Sequence, residues 1–107
     1  MTDKIVVLST AGSQEEAHRV AMRLVEKRVA ACVNILPAVH SVYRWKGIVE
    51  EGQEAMLLIK TRRPLLKILE KELRAVHSYE VPEMIALPVV EGLGDYLNWI
   101  DMETMEA

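Results

Sequence analysis

Residues 30–61 read AACVNILPAVHSVYRWKGIVEEGQEAMLLIKT, two extended segments around one turn. Ala30 to Leu36 (AACVNIL) and Ala55 to Ile59 (AMLLI) are apolar runs of strand length. Pro37 has no amide hydrogen to give a ladder, so it marks a kink or an edge strand rather than a central position. VHSVYRW then alternates well enough to continue extended. Lys46-Gly47 supplies the turn, with Gly47 free to adopt a positive φ. If fully extended, Ala30 to Trp45 would run ~50 Å at ~3.3 Å per residue. A globule of this size has a radius of gyration of only ~13 Å. The hairpin must therefore bend back or project.

On the N-terminal side, Ile5 to Leu8 (IVVL) forms a β-branched strand that exits through Ser9-Thr10-Ala11-Gly12. Ser13-Gln14-Glu15-Glu16 is a capping box, with Glu16 placed to reach back to the cap amide. Ala17, Val20, Ala21, Leu24 and Val25 follow as one helical stripe, closed by Lys27 and Arg28. On the C-terminal side, Pro64 suits a first helical residue. Leu65, Leu69, Leu73 and Val76 carry the second stripe. Met84 to Val90 is the last long strand, and Gly94-Asp95 caps a short helix bearing Tyr96, Leu97, Trp99 and Ile100.

The order β-α-β-β-α-β plus a terminal helix predicts an α+β fold: one ferredoxin-like βαββαβ domain over residues 1–107, with a long β-hairpin and a short C-terminal helix. Two helices cover one face of a four-stranded antiparallel sheet. Yet IVVL, AMLLI and MIALPVV are nearly continuous apolar runs, which want burial on both faces. The uncovered face, and a hairpin carrying Tyr43 and Trp45 near its tip, predict self-association.

The 107 residues are half hydrophobic and 27% charged, with net charge −3. A nucleic-acid footprint would show as a basic excess. One cysteine excludes an intrachain disulfide framework and suits a reducing compartment. Met1-Thr2-Asp3-Lys4 shows no cleavable signal pattern, and no apolar run approaches bilayer length, so a cytoplasmic protein is expected. An RNA-recognition domain would need aromatics on its central strands, where IVVLST and AMLLIKT have none. An acylphosphatase-type enzyme would need an arginine in the loop after the first strand, here Thr10-Ala11-Gly12-Ser13.

The stretch HSYEVPEMIAL (residues 77–87) concentrates chemistry ahead of a strand. His77 and Glu83 offer nitrogen and oxygen donors of the kind Cu(II) accepts, and a defined site would need further convergent ligands. The alternative is that His77 ends the second helix while Glu83 satisfies backbone or a lysine. His18 reads as solvated, and His40 is an additional candidate on the hairpin. Cys32, inside an apolar strand with no adjacent base, reads as a buried structural residue. Glu50, Glu51 and Glu54 lack the ligand spacing of a calcium loop and read as solvated surface.

Taken in order, the motifs resemble the divalent-cation tolerance family, CutA, from Val7 to Ile100. They are Ala30-Ala31-Cys32-Val33-Asn34-Ile35, Ser41-x-Tyr43-x-Trp45-x-Gly47, Lys60-Thr61, His77-x-Tyr79-Glu80-Val81-Pro82-Glu83 and Tyr96-x-x-Trp99-Ile100. The resemblance implies a non-enzymatic homotrimer whose sheets pack around an axis, a logic shared with PII-type regulators. It implies copper or another divalent cation as the partner, with His77 and Glu83 matching the metal region, and no required cofactor, nucleic acid or membrane. It also implies a cleft or interface lined by Tyr43, Trp45, Lys60, Tyr79 and Glu83. Where copper-binding members can carry a cysteine, this chain has Ser9, and a hydroxyl is a poor ligand for copper or zinc.

Overall fold

In the computed structural model, which describes residues 2–107, the elements run β1 (Lys4–Ala11), α1 (Gln14–Glu26), β2 (Cys32–Trp45), β3 (Ile48–Arg62), α2 (Leu66–Val76), β4 (Ile85–Pro88) and α3 (Gly94–Glu103). The sheet order is β2-β3-β1-β4, antiparallel at every step. The α+β expectation holds in element order and in the length of the hairpin.

One face of the sheet is the core. Ile5, Val7 and Ala11 of β1 and Ala55, Leu57 and Ile59 of β3 pack under Ala17, Val20, Ala21 and Leu24 of α1 and Leu69 and Leu73 of α2. Because strand side chains alternate, the register fixes what faces the other way. Val6 lies opposite Lys60 and Leu87, Leu8 opposite Leu58 and Ile85, and Cys32 opposite Lys60. Leu36, Ile85 and Leu87 are exposed on this open face. Cys32, expected to be buried, is half-buried, because its register position places it on the face that α1 and α2 do not cover.

Pro37 behaves as its chemistry requires. β2 is an edge strand, and the register slips between Leu36↔Met56 and Val39↔Glu54, so Pro37 and Ala38 oppose the single residue Ala55. β1 ends opposite Ala55. From Val39 to Glu54 the hairpin therefore continues alone as a two-stranded ribbon, which stretches the molecule to 44 × 25 × 22 Å. Its turn has positive φ at both Lys46 (51°) and Gly47 (83°), the pair of left-handed residues that matches the strand twist. Glycine explains the second of these; the first is a lysine in a conformation that side chains disfavour.

Helix starts depart from expectation in instructive ways. Ser13 caps α1, its Oγ accepting from the Glu16 N–H at 3.1 Å. Glu16 does not return to the cap amide. Its Oε1 accepts from the Gly12 N–H at 3.3 Å, one residue earlier. Pro64 sits in a 3-10 turn, Arg63–Leu65, that leads into α2. Gly94 and Asp95 are the first residues of α3 and do not cap it; Leu93 holds the cap position with no side-chain bond. The expected strand Met84 to Val90 shortens to Ile85–Pro88, since Pro88 has no amide to donate, although the Val89 N–H still reaches the Lys4 carbonyl at 3.1 Å. Past α3, the Met105 N–H donates to the Arg28 carbonyl and Arg62 donates to Thr104 Oγ1, tying the C-terminal segment to the core.

Because Ser13 satisfies an otherwise orphaned amide, Ser13→Ala should lower unfolding stability by about 1 kcal/mol. A urea titration followed by circular dichroism measures this.

Candidate functional site: an acidic, aromatic cleft

The ribbon and the connection between α2 and β4 form two walls of a cleft of about 770 Å³. Alternation on β2 directs Ser41, Tyr43 and Trp45 to one side of the ribbon, and Glu50 and Glu54 of β3 lie on that same side. The facing wall is Ser78 to Glu83, with Thr10 also in the lining. Pro82 restricts Val81 to extended conformations and stiffens that wall.

Two buried side chains hold the second wall in place. Glu16, 5% exposed, accepts from the Ser78 N–H through Oε2 at 2.7 Å while its Oε1 holds Gly12. Burial pushes its carboxyl up, but the Ser78 and Gly12 bonds and the nearby His77 outweigh this and leave it below its ordinary value. His77 ends α2 with its side chain fully enclosed. Its Nδ1 accepts from the Tyr79 N–H at 3.1 Å, so Nε2 carries the hydrogen given to the Thr10 carbonyl at 2.6 Å. Above it, Tyr79 donates its hydroxyl to Glu54 Oε2 at 2.7 Å, joining the two walls.

The cleft is negative. Glu50, Glu54, Glu80 and Glu83 line it, and no Lys or Arg does. Burial, then the charge of Glu54, pushes the Glu83 carboxyl up. Burial and the bond to Glu54 push the Tyr79 phenol up as well.

The residues expected from sequence divide between several places. Tyr43, Trp45, Tyr79 and Glu83 meet in the cleft. Lys60 does not: it stands on the open sheet face, hydrogen-bonded to Asn34, with its Nζ 3.9 Å from Cys32 Sγ. His77 lies behind the cleft wall with both ring nitrogens engaged, so as placed it offers no lone pair to a metal. Ser9 is fully buried, and its hydroxyl has no partner among the described residues. His40 pairs with Glu51 Oε1 at 2.8 Å on the ribbon, and His18 is exposed as expected. Glu50 and Glu51 are exposed as expected, Glu50 also lining the cleft, whereas Glu54 is half-buried in it. Among the described residues, no three His, Cys, Asp or Glu side chains converge as a metal centre. Glu16 and Glu80 were missed. The capping box was the visible signal for Glu16, but its partner Ser78 is 62 residues away.

A small α+β fold with four antiparallel strands, a projecting ribbon and a cleft at the ribbon's base is thus defined. Its sequence matches the family described as CutA1 divalent ion tolerance protein over residues 5–103. The chain belongs to that family. It is 48% identical over 99 residues to the divalent-cation tolerance protein CutA of Thermus thermophilus, covering 92% of this chain and 96% of that one. Against protein CutA of Homo sapiens it is 45% identical over 95 residues, which is 89% of this chain but 53% of the human protein. The solved structure of the Thermus thermophilus protein superposes with a TM-score of 0.93 at 47% identity, covering 95% of this chain and 99% of that one. CutA1 from Oryza sativa gives 0.94 at 43%, covering 97% and 95%. Among the described residues, no helix is long and apolar enough to cross a membrane.

Two outcomes follow from the opposed shifts. A lowered carboxyl stabilises the fold above the unfolded carboxylate range and loses that contribution as pH falls through its folded value. Glu16→Gln should therefore be destabilising at neutral pH, and the gap to the parent should narrow on acidification. Glu83 has the opposite sign: its raised carboxyl is penalised when ionised, so Glu83→Gln should stabilise at neutral pH and match the parent in acid. Urea midpoints measured from pH 7 down to pH 3 check both.

Proposed function

We propose that this chain is a cytoplasmic, non-enzymatic, homotrimeric protein of divalent metal-ion tolerance, with ferredoxin-like subunits and copper the foremost ion. The observation that carries the reading is the family match from residue 5 to residue 103. The sheet order β2-β3-β1-β4 supports the ferredoxin-like description. Leu36, Ile85 and Leu87, exposed on the uncovered sheet face, and Val42, Ile48 and Val49, exposed on the ribbon, support burial against copies of the chain.

The donor set favours weak metal contact. Ser9 offers a buried hydroxyl where a thiolate would hold copper firmly. His77 is committed to Thr10 and Tyr79, which leaves Glu83 as the accessible member of the pair. A second reading, a PII-like small-ligand sensor without a physiological metal, is favoured by the cleft itself, which is far larger than one ion needs.

Metal-stripped protein titrated with Cu(II) and Zn(II), with mass measured by light scattering, tests the proposal. Three times the 12.1 kDa chain mass is expected in chelator. Weak Cu(II) binding should fall in Glu83→Gln, while His77→Ala should lose thermal stability before it loses copper. A folded monomer in chelator would overturn the assembly, and copper binding indifferent to Glu83→Gln would overturn the metal role of the cleft.

A further inference from the structure

We propose that α3 and the residues after it form a strap, helical only while docked and latched to the sheet through Asp101, that opens separately from the rest of the chain. Taken alone, the segment is a poor helix. It has ten residues, a length that is marginal in water. Leu93 at its cap position makes no side-chain bond. Its last turn carries Asp101 and Glu103 and no basic residue, acids at the end where the helix dipole favours cations. Apolar anchorage is thin as well: within the helix only Ile100 is buried and only Leu97 half-buried.

What the helix lacks, three other elements supply. Lys4 of β1 pairs with Asp101 at 3.1 Å, and Arg62 of β3 lies 3.8 Å from the same carboxylate. Arg62 also donates to Thr104 Oγ1 at 3.0 Å, and that hydroxyl donates to the Ile100 carbonyl at 2.8 Å. Arg28, just past α1, donates to the Met102 carbonyl at 2.8 Å, while its own carbonyl accepts from the Met105 N–H. It does so with a positive φ of 59°, which residues other than glycine adopt rarely. Cations from β1, β3 and the end of α1 thus cap the C-terminal end of α3 from outside. Asp101 is the member that joins them, half-exposed itself while the Lys4 and Arg62 side chains are 8% and 15% exposed. Among the described residues it is the one ion-pair partner of Arg62. Val90 to Leu93, which lead into the helix, are exposed and outside any element, so the strap has a hinge. The latch sits at the Lys4↔Arg62 end of the β1–β3 pairing, whereas the ribbon leaves from the Ala11↔Ala55 end. Opening therefore uncovers two cations at the end of the sheet away from the cleft.

This inference needs neither the metal nor the cleft. The test is native-state hydrogen exchange on the whole assembled protein at neutral pH, read element by element. In the parent, α3 amides should exchange at least about tenfold faster than those of α1, through an opening that leaves the sheet intact. Asp101→Asn keeps the side-chain shape and removes the charge, and should speed exchange in α3 by about a further tenfold while α1 and β3 stay unchanged. Glu103→Gln removes the same charge from the same turn, but Glu103 has no ion-pair partner among the described residues, so α3 should exchange no faster than in the parent. Circular dichroism checks that each variant is folded. Parent α3 amides that exchange no faster than those of α1 would overturn the proposal. So would an Asp101→Asn variant that speeds every element alike, or a Glu103→Gln variant that speeds α3 as much as Asp101→Asn does.

Discussion

The Glu16 carboxylate sits where three parts of the chain meet: the end of β1 at Gly12, the first turn of α1, and the connection that follows α2 at Ser78. Removing a carboxylate from water is costly unless its charge is met by donors. Here two backbone N–H groups meet it, and His77 lies 3.7 Å away. Each of those amides would otherwise need another partner in a partly buried place. The bonds therefore serve the connection as much as the acid: they fix where residues 78–83 run. Without that anchorage the ribbon would have no facing wall, and the cleft would be an open flank of a hairpin. His77 repeats the arrangement one residue earlier, joining the Thr10 carbonyl to the Tyr79 amide.

This explains which parts of the molecule were legible in the sequence. The Ser13 cap, the kink at Pro37 and the turn at Gly47 are local, because each depends on the chemistry of residues within a few positions. All appear in the structure, and with them the order of strands and helices. What failed was non-local. Glu16 reads as a capping-box residue until Ser78 comes within reach, and His77 reads as a free donor until Thr10 and Tyr79 take both of its nitrogens. Tyr43, Trp45, Tyr79 and Glu83 could be collected into one cleft through family resemblance, since ribbon alternation alone does not say what stands opposite. Lys60, grouped with them by resemblance, lies apart from them within the chain: the register with Cys32 places it on the other face of the sheet.

Cys32 shows the limit of apolar patterning. AACVNIL is hydrophobic enough to suggest burial on both sides, and alternation then assigns one set, Val33 and Ile35, to the helix-covered core. The other set, with Cys32 and Leu36, is left to whatever covers the open face. The sequence pattern records that both faces are apolar but carries no label for which is covered within the chain. Strand pairing decides it, because Val33 and Ile35 align with Ile59 and Leu57. The same logic makes the ribbon a consequence of length. β1 stops at Ala11 while the hairpin continues, and none of the described residues pairs with the excess.

The cleft's own charges argue that it is more than a gap left by packing. Glu83 stands in a partly buried setting where burial and the charge of Glu54 disfavour its ionised form, and Tyr79 adds a phenol already committed to Glu54. A wall built only for stability would place neutral or oppositely charged groups there, since neighbouring like charges cost free energy. Lys60 shows that the sheet supplies a cation where one is wanted, beside Asn34 on the open face. None is supplied to the cleft, apart from the loosely held Lys46 at its rim. A concavity with aromatic rings on one side, unneutralised carboxylates and a stiffened second wall is preorganised for a positive partner. A positive group there would offset the electrostatic cost that burial and Glu54 impose on Glu83.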